Sequence, residues 1–186
     1  MKKLMYLFVL FAFANLPCRQ AGAYAQQSTS QSGNVIPEFG KTYEVPNPDF
    51  KTDIDLEFKA VFDVSKAPED KSKRNPYIET IARFLNMHEN AGVPVKNLHV
   101  RMAMHGQASY GLLTNEAYKE KFGVDNPNIE LLEAIDKAGV DIILCGQTAG
   151  ARNITKDRRL PLTQTALSAM TILIQSQGEG YRLIAF

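Results

Sequence analysis

From residue 58 onward, apolar positions recur with two different periods, one of two residues and one of about 3.6, and the alternation between them sets out the elements. Phe58 to Val64, FKAVFDV, interrupts its apolar residues with Lys59 and Asp63 and predicts a strand. Leu98 to Met104 predicts a second strand, with Leu98, Val100, Met102 and Met104 on one face and His99, Arg101 and Ala103 on the other. Val140 to Cys145 is apolar on both faces apart from Asp141, the pattern of a central parallel strand. Tyr181 to Ala185 predicts the last strand. Between them lie helical stretches. Asn75-Pro76 supplies a cap and a first-turn proline, and Ile78, Ile81, Ala82 and Leu85 form one stripe up to Gly92. Thr114 to Lys121 is a second stretch, and Asn126 to Ala138 a third, again opened by Asn-Pro and stopped by Gly139. After a loop around Arg158, Arg159 and Pro161, a fourth carries Ala166, Leu167, Met170, Leu173 and Ile174 to Gly178.

Strands alternating with helices define an α/β chain. The expected architecture is a three-layer α/β/α sandwich with a mostly parallel sheet of about five strands. In such sheets, groups that bind or react gather beyond the carboxyl ends of the strands. Asp63, His105 and Cys145 fall there, near the ends of three successive strands.

The N-terminal quarter has a different composition. MKKLMYLFVLFAFANLPCRQAGAYA opens with two lysines, continues with an apolar run from Leu4 to about Leu16, and ends in Ala23-Tyr24-Ala25, the small-x-small pattern of a cleavage site. Residues 1–25 are read as a secretory signal peptide, which places the mature chain across the inner membrane, in a periplasmic setting. The apolar run is shorter than the roughly 20 residues a membrane span needs, so stable membrane insertion is not expected. Lipid attachment at Cys18 is the rival reading, disfavoured by Pro17. Residues 26–34 are Gln, Ser, Thr and Gly with little to bury and are read as a disordered linker. Residues 35–55 carry three prolines among isolated apolar residues and are read as an extended arm on the domain, which spans 56–186. Loss of Lys2, Lys3 and Arg19 with the leader takes 21 basic residues to 18, against 20 acidic, so no charge excess favours nucleic acid or an anionic surface. Cys145 becomes the one cysteine of the mature chain, and no internal disulfide framework is possible.

An isolated thiol in an oxidising compartment must be shielded, modified or paired between chains. Packing alone accounts for many such cysteines, because free cysteine behaves as a small hydrophobe. Here the thiol ends a buried strand. Gly146 permits a sharp turn, Gln147-Thr148-Ala149 can begin a short helix whose amides lower the thiol pKa, and Arg152 lies one to two turns on. His105-Gly106 repeats the arrangement one strand earlier, with a loop hydrogen bond as the structural alternative to a functional role. His88 and His99 are assigned to structure, and the polar face with His99 and Arg101 to a possible subunit contact. No close-spaced pair of ligands supports a metal site, and no cofactor is implied. Gly106 to Gly111, GQASYG, lacks the Lys and Ser/Thr of a phosphate loop, and neither a dinucleotide fingerprint nor a G-x-S-x-G elbow occurs.

FKAVFDV, MHGQAS from Met104 to Ser109, NPNIELLEAIDKAGV from Asn126 to Val140, CGQ at Cys145, SAMT from Ser168 to Thr171 and QGEGY near the end together resemble the DsrE/DsrF-like family, and more closely its exported branch. The resemblance covers about Leu56 to Phe186, with His-Gly and Cys-Gly-Gln as its most specific parts. It implies a compact domain that assembles as a homotrimer or homohexamer. It also implies a persulfide carrier, with Cys145 as sulfur acceptor and His105 as an assisting neighbour. Asp63, Gly106, Gly146, Gln147 and Arg152 are then the candidate binding residues around it. Expected partners are small sulfur species or a thiol or persulfide protein. The competing expectation is a non-catalytic module that binds a small ligand or assembles, in which Cys145 merely packs.

Overall fold

The computed structural model describes residues 29–186, so the expected signal peptide lies outside the described residues. Ser30–Gln31 (β1) pairs antiparallel with Thr42–Tyr43 (β2), so the end of the stretch read as linker carries a short ribbon. The arm between these strands is fastened to the domain. Ile36 is fully buried and Phe39 nearly so, both within the main core, and Asn86 holds the backbone around them. Its Oδ1 accepts from the Ile36 amide at 2.9 Å, and its Nδ2 donates to the carbonyls of Ile36, Phe39 and Gly40 at 2.9, 2.8 and 3.2 Å.

Five strands form the main sheet in the order β6-β5-β4-β3-β7, and every pairing is parallel. They are Phe58–Val64 (β3), Leu98–Met104 (β4), Asp141–Cys145 (β5), Gln164–Ala166 (β6) and Arg182–Ala185 (β7). The expected three-layer sandwich is the observed fold. Pro76–Asn90 (α1) starts where Asn75 and Pro76 place it: the Asn75 side chain accepts from the Tyr77 amide at 3.0 Å. Ile78, Ile81, Ala82 and Leu85 are all buried. Asn115–Phe122 (α2) is capped by Thr114, Ile129–Lys137 (α3) follows, and Gly146–Arg152 (α4) begins directly after β5.

Alternation along the strands divides the core unequally. Ala60, Phe62, Val64, Val100, Met102, Met104, Ile142 and Leu144 face the large cluster that also contains α1 and α3. Val61 and Ala103 face the other way, onto Ile172 of Ala169–Gly178 (α5). Among the described residues, one α-helix covers this second face. α5 links β6, at one edge of the sheet, to β7, at the other. About 15 Å of helix therefore serves a sheet about 19 Å wide between edge strands. The thinly covered face is where polar strand residues find room.

Two expectations change at this end of the chain. The last helix starts at Ala169, capped by the Ser168 side chain, which accepts from the Thr171 amide at 3.1 Å. Ala166, read from the sequence as part of that helix, belongs to β6, and Leu167 lies in the connection. The apolar stripe is also turned outward: Leu167, Met170 and Ile174 are 72, 70 and 70% exposed, while Ile172 meets the sheet. Asn126 does not cap α3. Its amide donates instead to the carbonyls of Gly111 and Leu113 at 2.9 and 2.8 Å, and Asn128 occupies the cap position. No helix among the described residues is long and apolar enough to cross a membrane.

Candidate functional site

Register brings Asp63, His105 and Cys145 to one edge and one face. Val64 pairs with Met104, and Met104 with Leu144, so one residue further on His105 and Cys145 stand side by side on adjacent strands. Val64, Met104 and Leu144 all point into the large cluster. Asp63, His105 and Cys145 are offset from them by one residue and take the α5 face.

The two glycines that follow the candidate side chains His105 and Cys145 are required by close approaches. Gly106 has φ +54, and a Cβ there would lie 2.7 Å from the Ser65 carbonyl oxygen. The turn it allows lets the His105 amide continue the strand ladder to Val64 at 3.1 Å. Gly146 is restricted by space: a Cβ would lie 2.6 Å from the carbonyl oxygen of Ala166 and 3.2 Å from that of Leu167. The bare α-carbon lets the β6–α5 connection cross the start of α4 beside the thiol.

Cys145 is both the last residue of β5 and the cap of α4, with its sulfur accepting from the Thr148 amide at 3.4 Å. The residue is buried, 5% exposed. Burial pushes its pKa up. Hydrogen bonds from the Thr148 side chain and from the amides of Thr148, Ala169 and Gln147 push it down and prevail, so the thiol is held below its ordinary value. Ala169 opens α5, so the sulfur lies at the meeting of two helix N-termini, where amides favour negative charge. The Thr148 and Gln147 amides act as the sequence suggests, and Ala169 is the site residue that sequence reasoning missed. The available signal was Ser168, which reads as a helix cap and sets Ala169 at a helix start.

His105 and Asp63 form a pair, with 2.6 Å between imidazole Nε2 and carboxylate Oδ1. Both side chains are partly open to solvent. With Oδ1 of Asp63 accepting from Nε2–H, the ring is oriented and Nδ1 is left as the second nitrogen for a further partner. Imidazole and thiol are not hydrogen-bonded to each other, but adjacent strand positions bring their backbones within about 5 Å. Gln147 contributes an amide to the thiol, while its side chain donates to the Leu167 carbonyl at 3.3 Å and helps hold the β6–α5 connection.

Arg152 departs from its expected place. It lies at the far end of α4, where Nη1 donates to the Tyr110 hydroxyl at 2.9 Å, and it is not among the groups that lower the thiol pKa. Seven residues of α-helix carry it about 10 Å along the axis, which sequence proximity to Cys145 conceals. His88 bonds the Phe84 carbonyl at 2.8 Å and packs on Phe58 and Phe84. Arg101 bonds Asp141 and Glu179 on the α5 face. No group of three or more His, Cys, Asp or Glu suited to a metal ion occurs among the described residues.

A parallel five-stranded α/β/α domain with cysteine and histidine at adjacent strand ends defines the class. Residues 59–186 match the DsrE/DsrF-like family, and the chain belongs to it. Two solved structures share the fold. A protein of unknown function, MTH1491 from Methanobacterium thermoautotrophicum, aligns with a TM-score of 0.53 at 15% identity, over 69% of this chain and 99% of that one. The YchN protein from E. coli aligns with a TM-score of 0.50 at 18% identity, over the same shares of the two chains. No match is found among curated protein sequences.

Proposed function

We propose that the protein is an exported carrier of sulfane sulfur, with Cys145 as the acceptor and the Asp63–His105 pair assisting proton transfer. The observation that supports it is the thiol at two helix starts, its pKa lowered by the hydrogen bonds it receives despite burial. In the proposed step the Cys145 thiolate attacks the terminal sulfur of a donor persulfide, R–S–SH. A new S–S bond forms at Cys145, the donor S–S bond breaks, and the donor leaves as a thiolate. A proton supplied through His105 neutralises it. Sulfur oxidation states are conserved, so no external oxidant is required. An acceptor thiolate then attacks the outer sulfur and regenerates Cys145. Replacing His105 by alanine, or Asp63 by asparagine, is expected to slow uptake roughly 10- to 100-fold without abolishing it, near the lower end of general acid–base contributions. Uptake rates at the wild-type level in both variants would remove the pair from the step.

The protein acts, on this reading, as a homotrimer or homohexamer. Leu167, Met170 and Ile174 supply an apolar stripe beside the thiol that suits a protein surface. Light scattering is expected to return a multiple of the protomer mass, and a monomer across micromolar concentrations would contradict it. Export predicts a mature N-terminus at or near Gln26, and recovery of a lipidated Cys18 would exclude it.

A second reading, a non-catalytic ligand-binding or assembly module, is favoured by the burial of Cys145. Iodoacetamide labelling of the native protein from about pH 5 to about pH 9 separates the two. A carrier thiol labels in the native state, and its rate persists below the ordinary thiol pKa of about 8.5. A packing cysteine labels only once the protein unfolds.

A further inference from the structure

Beyond the C-terminal end of α4 lies an open pocket of about 370 Å³ whose charges do not balance. Lys121, Arg152 and Arg158 line it, with Glu120 as the one carboxylate. Glu120 is already taken by Arg158, at 2.9 Å. Lys121 and Arg152 have no carboxylate partner among the described residues and converge on Tyr110. The Lys121 ammonium stands 4.5 Å from the ring centroid, and the Arg152 guanidinium carbon 4.8 Å from it. Each cation occupies the last turn of its own helix, which favours a positive charge there by about 0.3–1 kcal/mol. That accounts for each along its own axis, but not for two cations meeting over one neutral phenol.

We propose that this pocket binds a small tetrahedral oxyanion of the phosphate or sulfate type, either free or as the terminal group of a small organic molecule. Arg152 spends one N–H on Tyr110 and retains further donors in a planar fork, the geometry that grips such oxygens in pairs. Lys121 adds a mobile point charge. The Tyr110 oxygen accepts from Arg152, so its own hydrogen is available to the anion. Burial raises the phenol pKa, but Arg152 and Lys121 outweigh it and hold it below its ordinary value, a sign of the positive field that awaits an anion. The pocket volume is in the lower part of the range for small-molecule sites and leaves space for an organic substituent. The site is separate from the thiol and does not depend on the sulfur-carrier reading.

Calorimetric titration of the mature protein with sodium phosphate, at ionic strength held constant with chloride, tests the proposal. Glycerol phosphate forms a parallel arm. Saturable binding is expected, with amide NMR shifts centred on Lys121, Arg152 and Asn153. Arg152→Met and the exposed-site variant Lys121→Met should each weaken it about tenfold, close to 1.4 kcal/mol. Glycerol phosphate binding about tenfold tighter than phosphate assigns the pocket to an organic phosphate, and equal affinity assigns it to the free anion. The proposal is overturned by absence of saturable binding, by unchanged affinity in folded Lys121→Met, or by shifts confined to Gln147 and Thr148 at the thiol.

Discussion

Cys145→Ser is expected to abolish sulfane-sulfur uptake completely while leaving the fold intact. A serine hydroxyl does not ionise near neutral pH, so the attacking thiolate is lost. The same hydroxyl is a good helix cap and finds the Thr148, Gln147 and Ala169 amides already directed at the sulfur. Stability should change by less than about 1 kcal/mol, because the buried hydroxyl is not left unpaired. The pH dependence has a definite sign. The folded thiol has a pKa below its unfolded value, so the folded state binds fewer protons between the two. The resulting stabilisation is fully present above the unfolded pKa and is lost as pH falls through the folded one. Denaturant unfolding at about pH 6 and about pH 9 should show this rise in the wild type and not in the serine variant. Retained uptake, or destabilisation beyond about 2 kcal/mol, would instead mark Cys145 as a packed core residue.

Asn86→Ala is expected to be as damaging to stability as truncation of a large core side chain. Asn86 is fully buried within the apolar stripe of α1, and its amide makes four bonds to the arm. Alanine strands one backbone N–H and three carbonyls, each worth about 1–3 kcal/mol if left buried and unpaired. The arm can escape part of that cost by lifting off, but then Ile36 and Phe39 lose their burial, at about 1.5–3 kcal/mol each. Detachment sets a ceiling, and a total loss of about 3–6 kcal/mol follows. Gly33→Ala should act similarly, since its Cβ would collide with the Asn86 side chain. Denaturant unfolding together with limited proteolysis of residues 29–45 checks both. A loss under about 1 kcal/mol with the arm still protected would show that Asn86 does not clamp it.

Much of this architecture is legible in the sequence where one side of an element is uniformly apolar. The α1 stripe, the alternation of β3 and β4, and the doubly apolar β5 each mark their element through burial. β6 is not legible, because three residues that are exposed or half-buried at a sheet edge carry no period. The α5 helix is legible as helix but not in orientation. Leu167, Met170 and Ile174 form a conspicuous stripe, yet the contact with the sheet goes to Ile172 and Leu173. At the candidate site, Cys145-Gly146 and His105-Gly106 stand out because each glycine permits a turn against a neighbouring strand end. The Asp63–His105 bond depends on strand register, and the Ala169 amide on α5 crossing the sheet, so neither has a local pattern. Arg152 is misleading for the opposite reason: its closeness in sequence runs along a helix that carries it away from the sulfur. Asn86 reads as a polar fault in an apolar face until the arm supplies its partners.

Intact-mass measurement of the native mature protein after exposure to a persulfide donor tests the central claim most directly. The predicted result is the gain of one sulfur atom, mapped to Cys145, removed by thiol reduction and absent from Cys145→Ser. An unchanged mass in the folded protein, with Cys145 reacting only after unfolding, would contradict it.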